Sequence, residues 1–171
     1  MEKKMCLSAA MKFLKDLEEE KTAILQKERE NSAYQIVNGV SGEIPEYNFM
    51  DTQGRLEAID ETVCNVRHAI NVANATKLVG ETGLTVDQIL ISMAQTTRRM
   101  ATLQGMAGKA KKSQPRFQGA LENQQVIICT NYDPAEVKAH YKKLREGRTN
   151  MQMALDLHNL STEISFEAVD V

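Results

Sequence analysis

Tryptophan is absent from the 171 residues, and tyrosine, phenylalanine and proline are scarce, with four, four and three copies. With aromatics at 5%, the interior must be built from aliphatic and methionine contacts, which favours packed helices. Three prolines and nine glycines in no repeat exclude collagen-like and low-complexity classes. The three cysteines, Cys6, Cys64 and Cys129, are odd in number and far apart, so they make no disulfide framework. Reduced thiols in a cytoplasm are the expectation. Charge of one sign is also lacking: the net charge is −2 with 42% apolar residues, a balance that excludes a disordered chain. The longest apolar runs, Ile89-Leu90-Ile91 and Val126-Ile127-Ile128-Cys129, fall far short of the roughly 20 residues that span a bilayer. Lys12, Lys15 and Asp16 interrupt anything like a signal core after Lys3 and Lys4. The length suggests one domain over residues 1–171, with a C-terminal tail from about 161 to 171.

Four stretches carry helical periodicity. Leu7, Ala10, Leu14, Leu17 and Ile24 recur at steps of three and four in the first, with Lys21 as the break. Leu56, Ile59, Val63, Val66, Ile70 and Ala73 keep the rhythm without a lapse in the second. The third runs Ile89, Met93, Thr96, Met100, Leu103, Ala107, Ala110, and the looser fourth Val137, Tyr141, Leu144, Arg148, Met151, Leu155, widened by Ala154 and Leu157. Narrow seams of this kind belong to helices that wrap around one another. Each is about 25 residues, or roughly 35–40 Å at 1.5 Å per residue.

Boundary signals agree. Thr85 and Gln88 have capping-box spacing, and Asp133-Pro134-Ala135-Glu136 supplies a cap, a first-turn proline and a reaching glutamate. Asp51 is the expected cap of the second helix. Gly80-Glu81-Thr82-Gly83 reads as a turn, short enough to set the second and third helices antiparallel. Between the first two helices Ala33–Gly39 is strand-like and runs into Asn38-Gly39, a hairpin dipeptide, while Pro45 spoils a long returning strand. Between the last two, Gln125–Thr130 is a β-branched run of strand length. The fold expected is mainly α: four long helices as two antiparallel coiled-coil-like hairpins, with strand confined to about 33–49 and 117–130. The two β segments are expected to meet in one small sheet. Leu56, Ile59, Val63, Ile70, Met93, Met100, Leu103, Leu144 and Met151 are the expected packing core, and Leu103→Ala is expected to cost roughly 2–5 kcal/mol.

The element order and three strings, Ile70-Asn71-Val72-Ala73-Asn74-Ala75-Thr76, Leu84-Thr85 and Asn159-Leu160-Ser161-Thr162-Glu163, resemble the septicolysin-like family of small bacterial proteins. The chain has Leu160 where that family usually carries Trp. The resemblance implies a helical, soluble protein without an established activity. The pore-forming toxin suggested by the family name is not carried over, since no span, amphipathic β-hairpin pair or secretion signal is visible.

Chemical motifs are few. There is no Gly-rich phosphate loop: Gly105 and Gly108 fall late in the third helix and Gly119 lies beyond it. Gly-x-Ser-x-Gly, His-Glu-x-x-His and Cys-x-x-Cys do not occur. Cys64 and His68, spaced i, i+4, face one way on the second helix, and a metal site there requires His140 and His158 to converge on them. Glu18-Glu19-Glu20 reads as a solvated charged face. From Gln88 to Leu121 no acidic residue occurs, while Arg98, Arg99, Lys109, Lys111, Lys112 and Arg116 do. Either this stretch binds an anionic partner, or it compensates a helix C-terminus and pairs with the acidic tail of Asp156, Glu163, Glu167 and Asp170 in the same or a neighbouring chain. Only Phe117 is interleaved with it, which is poor for base stacking.

The function expected is a non-catalytic, cofactor-free assembly or interaction protein, bacterial or phage-borne and cytoplasmic, forming homo-oligomers through helix and β-edge surfaces. The alternatives are a module binding nucleic acid or an acidic protein through residues 98–116, and a metal-dependent hydrolase built on Cys64, His68, His140 and His158.

Overall fold

The four apolar stripes become four helices in the computed structural model, which describes residues 1–37, 40–41, 44–114 and 127–169. They are α1 (Leu7–Asn31), α2 (Phe49–Thr76), α3 (Val86–Ala107) and α4 (Pro134–Ser161), of 25, 28, 22 and 28 residues. The strands are β1 (Glu2–Cys6), β2 (Ile36–Val37), β3 (Val40–Ser41), β4 (Lys112–Ser113), β5 (Ile128–Cys129) and β6 (Glu163–Glu167). The fold is mainly α, with short antiparallel strands. Residue contacts gather into two compact units: unit 1 is Met1–Lys77 with Asp156–Val171, and unit 2 is Leu78–Leu155.

In unit 1, α1 and α2 run antiparallel. Leu17, Ile24, Leu56 and Ile59 bury their seam, with Phe13, Leu25 and Val63 packed beside them. The Glu18-Glu19-Glu20 run is more than a solvated face. Glu18 pairs with Arg67, Glu20 with Arg55 at 2.9 Å, and Lys21 with Asp60, so one edge of α1 is laced to α2. Such exposed pairs add about 0–1 kcal/mol each and serve chiefly to hold register. The cap of α2 is Asn48 rather than Asp51. Its Oδ1 accepts the Met50 and Asp51 amides at 3.1 and 3.4 Å, and its Nδ2 donates to Asp51 at 2.6 Å, which starts the helix earlier than expected.

Strand is not confined to the two inter-helix segments. The expected C-terminal tail carries β6, and β6 pairs antiparallel with β1 in the register Glu2↔Glu167 through Cys6↔Glu163. The reason is legible in Glu163-Ile164-Ser165-Phe166-Glu167: strict alternation buries Ile164 and Phe166 and exposes the rest. Ile164, Phe166 and Ala168 pack on Leu7, Ala10, Val66 and Ala73, closing the open end of the α1–α2 seam. Phe13 stacks on Phe166 with centroids 5.9 Å apart. The α1 N-terminus has no side-chain cap, and the Leu7 amide donates instead to the Thr162 carbonyl at 2.9 Å.

In unit 2, Gly80 and Gly83 take φ of 49° and 67°, the left-handed values that the turn before α3 requires. The Thr85–Gln88 capping box forms as expected, with Gln88 accepting the Thr85 amide at 3.0 Å. Asp133 accepts the Ala135 amide at 2.9 Å at the start of α4. Val79, Val86, Ile89, Met93 and Leu155 form the core, flanked by Leu84, Met151 and Ala154, so α3 and α4 are the second antiparallel hairpin.

Among the described residues the two inter-helix β segments do not share a sheet. Each closes locally, β2 on β3 and β4 on β5, because a nearby partner strand costs far less loop-closure entropy. The pair Val37↔Val40 brackets Asn38-Gly39, the dipeptide from which a turn was expected and which itself lies outside the described residues. Of the expected core residues, Leu56, Ile59 and Met93 are buried, and Val63, Ile70, Met100, Leu103, Leu144 and Met151 are half-buried. No helix among the described residues is long and apolar enough to cross a membrane. Ile59→Ala, at a position with no exposure, is expected to destabilise the protein by about 2–5 kcal/mol. Half-buried Leu103→Ala should cost less than that. Chemical denaturation of the two variants beside the parent chain checks both.

Candidate functional site

Unit 1 carries a groove of about 660 Å³ between one flank of α2 and β6. Asn65, Ala69, Val72, Ala73 and Thr76 recur at helical spacing and so line it from one side. The other side is a strand edge. Leu7 donates to Thr162 and Ala168 donates to Met1, which makes Met5–Ile164 and Lys3–Phe166 the hydrogen-bonded rungs of the ladder. The backbone groups of Glu163, Ser165 and Glu167 therefore point away from β1, towards α2. Lys77 Nζ donates to the Glu163 carbonyl at 2.7 Å, Asn65 Nδ2 to the Glu167 carbonyl at 3.1 Å, and Thr62 Oγ1 accepts the Val169 amide at 3.0 Å. Among the described residues nothing bonds the amide or carbonyl of Ser165 between them.

Charge at the groove is uneven. Glu163 pairs with Lys4 at 2.7 Å; this contact holds the Glu163 carboxyl below its usual pKa and raises that of Lys4. At the other end Glu2 and Glu167 are cross-strand neighbours with no cation paired to either among the described residues. His158, at the end of α4, is buried, and Thr162 Oγ1 lies 3.2 Å from its Nδ1. Burial pushes the His158 pKa below 6.5, and the Lys77 ammonium adds to the shift.

The proposed metal ligands do not gather. Cys64 and His68 are exposed on α2, and His158 is buried at the far end of α4. His140 is exposed in unit 2, with Arg99 Nη2 3.4 Å from its Nε2. His140 and His158 stand on one helix 18 residues apart, which is about 27 Å of rise and too far to share an ion. Among the described residues no three His, Cys, Asp or Glu side chains could hold a metal together.

Arg98, Arg99, Lys109, Lys111 and Lys112 are all exposed, and Arg116 and Phe117 lie outside the described residues. No acidic side chain among the described residues pairs with Arg98, Lys109, Lys111 or Lys112. Glu163 of the acidic segment goes to Lys4 instead. The antiparallel α3–α4 pairing brings further bases to the same end of unit 2: Lys138, Lys142, Lys143, Arg145 and Arg148. The signal that could have found them is in the sequence, since Glu146 is the only acid from 138 to 148. Unit 2 as a whole has eleven basic and six acidic residues, net +5; unit 1 has ten and seventeen, net −7.

Together the elements define a mainly α protein of two helical hairpins, each with a small antiparallel ladder at its connection. No protein-family profile matches the chain, and no curated protein matches it. The fold is similar to that of a functionally unknown conserved protein from Corynebacterium diphtheriae, with a TM-score of 0.59 and 14% identity, over 95% of this chain and 99% of that one.

The buried imidazole sets a pH dependence. With its folded pKa below the unfolded value, His158 contributes fully above the unfolded pKa, and stability is lost as pH falls through that value towards the folded one. Thermal unfolding midpoints should therefore drop as the pH falls below the ordinary histidine value of about 6.5, and His158→Gln should make that drop smaller.

Proposed function

We propose that this is a non-catalytic assembly protein that associates with copies of itself. The observation that supports the reading is an apolar stripe on α4. Leu157 and Leu160, three apart in the part of α4 that belongs to unit 1, are 68% and 64% exposed. Large apolar side chains lined up on one exposed helix face form the kind of patch that marks an interaction surface. Leu157 and Leu160 are the positions beyond the helix's own seam, so their packing role is left for another chain. The same reading takes the protein as cytoplasmic, bacterial or phage-borne, and septicolysin-like. The free thiols of Cys6, Cys64 and Cys129 agree with a reducing compartment.

Light scattering at micromolar concentration should give a mass above one chain, and Leu157→Lys with Leu160→Lys should lower it to one chain without changing the helical signal. A single-chain mass for the parent protein in low and high salt alike would remove the reading.

A second reading is favoured by the charge of unit 2, where the exposed bases of α3, α4 and the segment between them outnumber acids. It is a module for an anionic partner, nucleic acid or acidic protein, engaged electrostatically and hence sensitive to salt. A mobility shift with mixed DNA and RNA should appear at low salt, weaken at moderate salt and be lost in Lys111→Glu with Lys112→Glu. Identical migration at low salt with and without the protein would discard the nucleic-acid form of it.

A further inference from the structure

The groove of unit 1 is independent of the α4 stripe, and its chemistry specifies an occupant. We propose that β6 and α2 form a docking groove for an extended segment of a different protein, which adds to the free edge of β6 as a third strand and carries lysine or arginine on its outward face.

Backbone chemistry comes first. An unpaired strand edge is a template for another strand, and folded proteins usually cover or blunt it. Here α2 blunts only the ends. Lys77 and Asn65 bond the carbonyls of Glu163 and Glu167, while the amide and carbonyl of Ser165 between them are left for a partner. The dimensions match on both sides. Five residues of strand are about 17 Å long, and the twelve steps from Asn65 to Lys77 rise about 18 Å.

Side-chain chemistry follows from the alternation of strands. Every second residue of an added strand points towards the α2 flank, where Ala69 and Val72 offer small apolar surface and Val72 is exposed. The intervening residues share the outer face with Glu163, Ser165 and Glu167. Glu163 is already matched by Lys4, and Lys77 adds a second ammonium at that end. Glu167 and Glu2 are not matched, so the cation that counts lies opposite Glu167.

This pattern disfavours a second copy of β6. Pairing two such strands antiparallel about Ser165 sets Glu163 opposite Glu167 twice, and like charges directly opposed destabilise a sheet. A basic strand from another protein meets the acidic one without that conflict.

The test uses the full chain and labelled peptides followed by fluorescence anisotropy. The probe is a heptapeptide alternating lysine and valine. Its controls are the glutamate–valine counterpart and a lysine–valine peptide N-methylated at alternate amides, which keeps its charge but cannot pair as a strand. The lysine–valine peptide should bind saturably and about tenfold more tightly than either control, the scale of one or two backbone hydrogen bonds. Ser165→Pro removes an amide that β1 does not use, and it should weaken binding about tenfold. Glu167→Gln, which leaves the backbone intact, should weaken the lysine peptide and not the glutamate one. Equal binding of the methylated peptide would reduce the effect to general attraction by an acidic unit and overturn the proposal. The absence of saturable binding would do the same. A fall in solution mass on Ser165→Pro would assign the edge to a second copy and overturn it as well, whatever Leu157→Lys with Leu160→Lys does to assembly.

Discussion

Two amphipathic helices laid side by side leave apolar surface at the end of their seam that neither can cover, and in unit 1 the β1–β6 ladder covers it. Ile164, Phe166 and Ala168 fill the space over Leu7, Ala10, Val66 and Ala73, and the Thr162 carbonyl satisfies the first amide of α1. The same ladder creates the groove, since pairing β6 with β1 on one side turns the backbone of Glu163, Ser165 and Glu167 towards α2. Core, helix start and candidate binding edge all depend on those five rungs.

The helices were legible because a stripe at steps of three and four fits one face of a helix and neither a strand nor a loop. Leu7, Ala10, Leu17 and Ile24 in α1, and Leu56, Ile59, Val66 and Ala73 in α2, are the buried residues of those stripes. Capping residues located Thr85 and Asp133 correctly because a side chain that bonds amides two or three positions on acts locally. Asn48 was missed in favour of Asp51, since both residues suit a helix start and only geometry separates them. The β1–β6 pairing was not legible in the same way. Glu163–Glu167 alternates cleanly, but strand formation depends on a partner far off in sequence, and the four charges of the segment after Arg148 drew attention to its acidity instead. For the candidate sites the lesson runs the other way. The i, i+4 geometry of Cys64 and His68 was sound, yet a third ligand had to come from α4, whose two histidines are five turns apart.

Charge is distributed by unit rather than along the chain. A net charge of −2 and a pI near 6.0 describe the whole, while unit 1 is strongly acidic and unit 2 basic. Near pH 6 the molecule carries little net charge, but each unit still presents its own sign to solvent. The Lys21, Arg55 and Arg67 bridges show where part of the acidity of unit 1 is balanced, within the α1–α2 pair itself. No comparable pairing meets Arg98 or Lys109–Lys112 among the described residues, so the basic end of unit 2 is turned outward electrostatically.

Because β6 follows unit 2 in sequence, synthesis order matters to unit 1. The hydrogen bond from Met1 to Ala168 spans 167 positions, and all of unit 2 must be synthesised before its second half exists. At ordinary rates of translation that delay is on the order of ten seconds. Throughout it, α1 and α2 can zip together while Leu7, Ala10, Val66 and Ala73 remain wet. A nascent chain halted before Glu163 carries the same uncovered surface, a natural landing place for a general chaperone.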